Sequence, residues 1–189
     1  MARPLDHQKR ADLLAGVVAY IAGHGLAALS LRPLAAELGT SSRMLIYYFG
    51  TKEELLVQAL ATQRPDLTAL FVDVVEPEAL CDRLVGFFDL NSEGAEADSV
   101  RVLLQVLGAA CAPDSPYQDY ANAAIATFVT ELAAALRRTG LAEDPEVVAT
   151  LLVSALRGII QDRMITGDRE RTTRAARTLI AAVLPTRPR

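Results

Sequence analysis

Tryptophan is absent from this 189-residue chain, and cysteine and histidine occur only twice each. These few residues form no CxxC, HExxH or paired-histidine spacing, so we predict no metal and no cofactor. We interpret Cys81 and Cys111 as small buried hydrophobic residues in a reducing cytosol, with a redox pair as the alternative.

The chain also lacks any apolar run of 18 or more residues, so we predict no membrane span. The apolar segment 13–23 follows Lys9 and Arg10 and superficially resembles a signal peptide. Asp12 interrupts the start of that segment, and a helical motif described below includes it. We therefore expect a cytoplasmic protein.

Catalytic signatures are scarce: no nucleophile–base motif, metal spacing or glycine-rich phosphate loop occurs. The sequence predicts a protein that is not an enzyme. Hydrophobic residues reach 51% although aromatic residues are only 5%, so alanine, leucine and valine dominate. This composition favours packed helices, with apolar surface left for a partner subunit or a ligand cavity.

The fold class predicted from these patterns is all-α, since no run of strand periodicity appears. Capping residues and glycine or proline stops mark the ends of the helices. They predict helices over about 6–23, 31–38, 42–48, 52–63, 66–75, 78–90, 97–111, 117–138, 145–166 and 168–184.

A helix-turn-helix motif is predicted at about 30–49, where two short helices flank Gly39-Thr40-Ser41. Hydroxyl groups at the start of the second helix suit phosphate oxygens, and Arg43 suits a guanine edge. Lys52 begins the next helix, where a phosphate could lie. The alternative for Arg43 is a plain surface charge. Residues 1–64 carry a charge of +2 and residues 65–189 one of −6, so only the first part is expected to meet an anion.

The motif resembles the DNA-binding signature of TetR-type transcriptional repressors over roughly residues 7–60. The upstream stretch 28–35 also fits, and 156–160 is weakly similar to the penultimate, dimer-forming helix of the family. The resemblance implies a bacterial regulator with an N-terminal three-helix DNA-binding domain at 1–63 and a larger ligand-binding and dimerisation domain at 64–189. The matching motif residues are Gly39, Ser41, Leu45, Phe49, Lys52, Glu53 and Leu55.

The resemblance also assigns roles to single positions. Ser42, Arg43 and Met44 match base-facing positions, whereas Tyr47 and Tyr48 match a pair that packs against sugar-phosphate. The two tyrosines differ by about 100° around the helix, so we expect one to pack partly inward. Ile46 departs from the pattern, since the family usually has Tyr there. The predicted DNA-binding residues are Arg32, Ser41, Ser42, Arg43, Met44, Tyr47, Tyr48 and Lys52.

Dimerisation is predicted from the helix at 147–160, which is apolar nearly all round and must bury a second face. The last helix extends this patch. The predicted interface residues are Val148, Leu152, Ala155, Ile159, Leu179 and Val183.

The middle helices mix aliphatic side chains with isolated polar groups, a mixture that lines some ligand pockets and also occurs at ordinary helix interfaces. The resemblance implies a small apolar or amphipathic effector here. The hypothesis is a ligand-responsive repressor that binds a palindromic double-stranded operator as a homodimer. The alternatives are an all-helical enzyme and a dimeric interaction module without DNA binding. The predicted pocket residues are Arg101, Gln105, Cys111, Tyr117 and Asn122.

Overall fold

A computed structural model of the chain describes residues 7–62 and 65–184. The all-α prediction is confirmed, since those residues contain ten α-helices, one 3₁₀ turn and no strand. The helices are α1 (His7–His24), α2 (Leu31–Glu37), α3 (Ser42–Phe49), α4 (Lys52–Ala61), α5 (Leu67–Phe71), α6 (Pro77–Asn91), α7 (Gly94–Ala110), α8 (Gln118–Thr139), α9 (Pro145–Thr166) and α10 (Arg169–Val183), with the 3₁₀ turn at Leu26–Ala28.

The chain forms two compact units. The first comprises residues 1–64 and 98–121, and the second comprises residues 65–97 and 122–189. In the first unit α1 packs on α4, and α3 packs on both α2 and α4. Its core includes the fully buried side chains of Ile21, Leu34, Leu45 and Leu56. The short helices α2 and α3 are thus held by the longer α1 and α4, as expected for helices too short to be stable alone.

The second unit is built around α9, which packs on α10 and α6. Leu80, Leu84 and Phe88 of α6 are buried, as are Leu152 of α9 and Ile180 of α10. A separate aromatic contact joins α6 to α8, where the rings of Phe87 and Phe128 meet edge-on at 5.1 Å between centroids.

Helix α5 is shorter than predicted, since it ends at Phe71 and not near residue 75. Two guanidinium groups bind the carbonyls that a longer helix would use. Arg83 donates to the Leu70 carbonyl at 2.6 Å, and Arg138 donates to the carbonyls of Phe71 and Val74. These arginines come from α6 and α8, so the early end of α5 depends on distant residues.

The prediction that both cysteines are buried is wrong for Cys111, which is exposed. Helix α7 ends one residue earlier, at Ala110, so Cys111 lies in the following turn. Cys81 is half-buried on α6, and this burial raises the pKa of its thiol above the usual range.

Candidate nucleic-acid interface

The turn between α2 and α3 is closed by backbone hydrogen bonds around Gly39. The Thr40 N–H donates to the Ala35 carbonyl at 2.9 Å, and Gly39 has a φ of 61°. This left-handed conformation favours glycine, which has no Cβ to clash. The turn directs the chain straight from the end of α2 into α3.

The start of α3 is capped by Ser41, whose hydroxyl oxygen accepts a hydrogen bond from the Met44 N–H at 3.2 Å. Ser30 occupies the same N-cap position at the start of α2, but its side chain makes no capping hydrogen bond. Both short helices therefore begin directly after a serine, but only Ser41 caps its helix with a side-chain hydrogen bond.

One side of α3 packs into the core and the other faces solvent. Leu45 and Phe49 are 1% and 3% exposed, as expected for core residues. Arg43, Ile46 and Tyr47 are exposed on the opposite side, since Ile46 and Tyr47 follow Arg43 by three and four residues. We call these three residues the outer face of α3. Ser42 and Met44 are half-buried at its borders.

Arg43 occupies the first turn of α3, where the helix dipole disfavours a cation. Within residues 7–62 and 65–184, neither Arg43 nor the exposed Arg32 of α2 forms an ion pair. The guanidinium group of Arg43 therefore contributes nothing evident to folding. It is available to an external anion or to a hydrogen-bond acceptor such as a base edge.

The two tyrosines differ in exposure, as their angular separation predicted. Tyr47 is 61% exposed, whereas Tyr48 is half-buried. Their rings meet edge-on at 5.6 Å, and the Tyr48 ring lies 5.9 Å from that of Phe49. Tyr48 is thus the member of the pair that packs partly inward. Contacts of either ring with sugar-phosphate stay a prediction.

A pair of polar side chains that the sequence did not predict, Arg10 and Gln58, holds the C-terminal end of α3. The Arg10 guanidinium lies 5.2 Å from the centroid of the Phe49 ring and donates to the Gln58 side chain. Gln58 in turn donates to the Phe49 carbonyl at 3.2 Å. These residues come from α1 and α4, 39 residues before and 9 after Phe49, so no local sequence pattern marks them.

The step from α3 to α4 is a capping box. Glu54 N–H donates to the Thr51 hydroxyl at 3.1 Å, and the Glu54 carboxylate accepts from the Thr51 N–H at 2.7 Å. Gly50 has a φ of 83°, and a Cβ at this position would clash with the Glu54 carboxylate. A glycine is therefore required at the exit of α3.

Lys52 follows directly in the first turn of α4, where its half-exposed ammonium lies 3.6 Å from the Glu53 carboxylate. An exposed pair of this kind is weak, because water and salt screen it. The lysine can therefore exchange Glu53 for a phosphate oxygen at little cost.

The predicted pocket residues are spread over both units. Arg101, Gln105, Cys111 and Tyr117 belong to the first unit, and the exposed Asn122 belongs to the second. Arg101 is exposed and lies 3.9 Å from Asp98. Their role in ligand binding stays a prediction.

Two of the predicted pocket residues, Gln105 and Tyr117, have defined surroundings within the first unit. The Gln105 amide oxygen accepts from the Leu26 N–H at 2.6 Å, which ties α7 to the 3₁₀ turn. Tyr117 is buried, and burial together with the charge of Glu53 raises the pKa of its hydroxyl.

Residues 13–59 match the sequence model of the bacterial regulatory proteins of the tetR family. This match confirms the resemblance to the TetR family over residues 13–59. The matched segment contains the turn at Gly39, the whole of α3 and the capping box of α4. The match confirms the predicted helix-turn-helix and supports a DNA-binding regulator.

Solved structures of transcriptional regulators are similar along nearly the whole chain. One from Rhodococcus sp. Rha1 has 23% identity and a TM-score of 0.79, covering 95% of this chain and 99% of its own. One from Saccharomonospora viridis, in complex with choline, has 22% identity and a TM-score of 0.73, covering 93% and 94%. SmeT of Stenotrophomonas maltophilia, in complex with triclosan, has 18% identity and a TM-score of 0.72, covering 97% and 98%. At these identities the likeness shows the fold.

No curated protein sequence matched the chain. Over the described residues, no helix is long and apolar enough to cross a membrane. The same residues contain no group of three or more potential metal-binding side chains.

Proposed function

We propose that this TetR-family regulator is a repressor that binds a palindromic operator as a homodimer and releases it when a small molecule binds. The observation that carries the DNA-binding part is the outer face of α3. There an arginine without an ion pair in the described residues, and an exposed tyrosine, stand on the solvent side of a helix with a well-packed core side. A single short helix contacts few bases, so specific binding calls for two copies of it.

A mobility shift with the DNA upstream of the protein's own gene tests this proposal. We expect a specific complex that survives excess unrelated DNA at moderate salt. Selection from random DNA should return an inverted repeat whose half-sites lie about one helical turn apart. If no specific complex formed even at low salt, the proposal would fail. Transcription that rises on protein addition would overturn the repressor assignment alone.

Exposed apolar residues on α9 support the homodimer. Val147, Leu151 and Ile165 are exposed and, with Ser154 and Gly158, lie on one side of α9 at helical spacing. The small residues would allow a second helix to approach closely. Of the predicted interface residues, Val148, Ala155 and Ile159 are half-buried beside this stripe, as are Leu179 and Val183 on α10.

The prediction is wrong for Leu152, which is 0% exposed within the single chain and has no surface left for a partner.

Substitution of Leu151 tests the dimer. We expect Leu151→Glu to reduce the mass in solution from twice 20.3 kDa to 20.3 kDa, because a carboxylate at a closed apolar contact must be desolvated. Light scattering after size exclusion at micromolar concentration measures this. Leu90→Glu, an exposed leucine of α6, is the matched control and should stay dimeric. A folded Leu151→Glu dimer would contradict the α9 interface.

We propose a small-molecule effector because two regulators of this fold were solved with choline and with triclosan. The physical requirement is that the effector prefers a conformation that fits DNA poorly. A library screened for compounds that raise the melting temperature and also dissociate the operator complex tests it. The prediction that the chain is not an enzyme stays a prediction.

Lys52 is proposed to bind a backbone phosphate. We expect Lys52→Ala to weaken binding to every DNA sequence by a similar factor. It should also lower the slope of log K against log salt by about 1 per subunit, since one fewer counterion is released. Titrations of operator and unrelated DNA at several salt concentrations measure both. Lys52→Arg, which keeps the charge, should retain the slope. A loss confined to the operator would show that Lys52 reads bases instead.

A further inference from the structure

Ile46 is the one aliphatic side chain on the outer face of α3. It is 44% exposed, and it lies three residues after Arg43 and directly before Tyr47. Leu45 and Phe49 supply the core contacts of this helix, so packing does not require an apolar residue at position 46. The helical twist of about 100° per residue places Arg43 about 60° and Tyr47 about 100° from Ile46 in the same direction around the helix, so the three side chains form one continuous surface.

Exposure alone would mean little, because Val72, Val75 and Leu90 are exposed to a greater degree. The position of Ile46 beside Arg43 distinguishes it. A side chain that reaches a guanine edge must lie in the major groove, and its neighbour one turn along the same face then lies over an adjacent base pair. Isoleucine can neither donate nor accept a hydrogen bond there.

The major groove offers one apolar group, the C5 methyl of thymine. We propose that Ile46 recognises this methyl group in each half-site, next to the base pair that Arg43 reads, and so makes the regulator specific for thymine at that position. The inference rests on the proposed operator binding and adds a specificity-determining residue to it. Contact with the methyl removes apolar surface of both groups from water, which is the source of the preference.

Deoxyuridine provides the direct test, because it pairs as thymidine does and lacks only the methyl group. Each thymine of the selected half-site is replaced in turn, symmetrically in both halves, and affinity is measured by fluorescence anisotropy at fixed salt. Loss of one methyl contact should reduce affinity about fourfold per half-site, and this loss should occur at one position. With Ile46→Ala, deoxyuridine at that position should cause no further loss. If cytosine replaces thymine at that position, the methyl group is lost together with the base. Using 5-methylcytosine in place of that cytosine restores the methyl group and should recover part of the wild-type affinity.

Two control variants, Ile46→Val and Val72→Ala, are measured with the same duplexes. Ile46→Val retains a branched side chain and should keep most of the sensitivity to deoxyuridine. Val72→Ala removes methyl groups from an exposed residue of the second unit and should behave as wild type. Unchanged circular dichroism and melting temperature would show that the Ile46 variants are folded.

The outcomes separate this inference from the proposed function. If no specific DNA is bound, operator binding itself fails. If the operator is bound but every deoxyuridine is neutral, or if the sensitive position is equally sensitive in Ile46→Ala, the role of Ile46 is overturned and operator binding stands.

Discussion

Replacing Arg43 by alanine is expected to weaken operator binding by about 1–3 kcal/mol per half-site, roughly 5- to 150-fold, while binding to unrelated DNA changes much less. The reason is geometric. Arg43 is exposed on the outer face of α3, it has no ion pair among the described residues, and a guanidinium can donate two parallel hydrogen bonds to one guanine. Anisotropy titrations with operator and scrambled duplexes at one salt concentration measure the ratio.

Folding stability should not fall in the same variant. A cation in the first turn of α3 opposes the helix dipole, and alanine is a better helix former, so Arg43→Ala is expected to be neutral or slightly stabilising. Arg137→Ala is the matched control: it removes an exposed arginine of α8 whose ion pair with Glu146 is solvent-screened. Equal losses on operator and scrambled DNA would mean that Arg43 contacts only phosphate.

The second large effect concerns stability and falls on Arg163, which is 6% exposed at the end of α9. We expect Arg163→Ala to lower the free energy of unfolding by about 2–4 kcal/mol, because several hydrogen bonds and the volume of the side chain are lost together. For a chain of this length the melting temperature should fall by roughly 5–15 °C. Chemical denaturation at fixed protein concentration measures the difference.

The size of this effect follows from how many elements the guanidinium of Arg163 joins. Its Nε donates to the Thr172 hydroxyl at 2.9 Å, and one Nη donates to the Arg169 carbonyl at 3.2 Å and to Thr173. The other Nη lies 3.3 Å from Glu93, and the group lies 4.9 Å from the centroid of the Phe88 ring.

Arg163 thus joins three parts of the second unit, namely the α9–α10 junction, Glu93 before α7, and Phe88 of α6. Arg163→Lys keeps the charge over the ring but loses the planar fork, so it should recover only part of the stability. Arg174→Ala on α10, which removes an exposed arginine without a described ion pair, should change stability by less than about 0.5 kcal/mol. A loss in Arg174→Ala equal to that in Arg163→Ala would contradict a specific role for the buried network.

The two variants should separate cleanly, because they act on different units. Arg43→Ala should bind operator poorly at unchanged stability, whereas Arg163→Ala should unfold at lower temperature. Below its unfolding temperature, the Arg163→Ala variant still has every residue of the outer face of α3. If either variant showed both weak operator binding and lowered stability, operator binding and folding stability would be coupled in a way that neither local structure requires.

The DNA-binding segment could be predicted closely because its signals are local. Gly39 marks a left-handed turn, Ser41 caps α3, and Thr51 with Glu54 forms a capping box, each within a few residues of the bond it makes. The four-residue spacing of Leu45 and Phe49 also places both on one side of α3, which is the core side. Hydrogen bonds between residues that are close in sequence depend on short segments alone, so the sequence predicts them.

Tertiary structure decided the rest, because it brings together residues that are distant in the chain. Arg10 and Gln58 hold the end of α3 from two other helices, and Arg83 and Arg138 stop α5 early. The apolar pattern of α9 predicted two buried faces, but only the tertiary packing placed Leu152 inside the chain and left Leu151 outside. Periodicity shows that a helix has an apolar face, whereas the direction of that face depends on every helix packed around it.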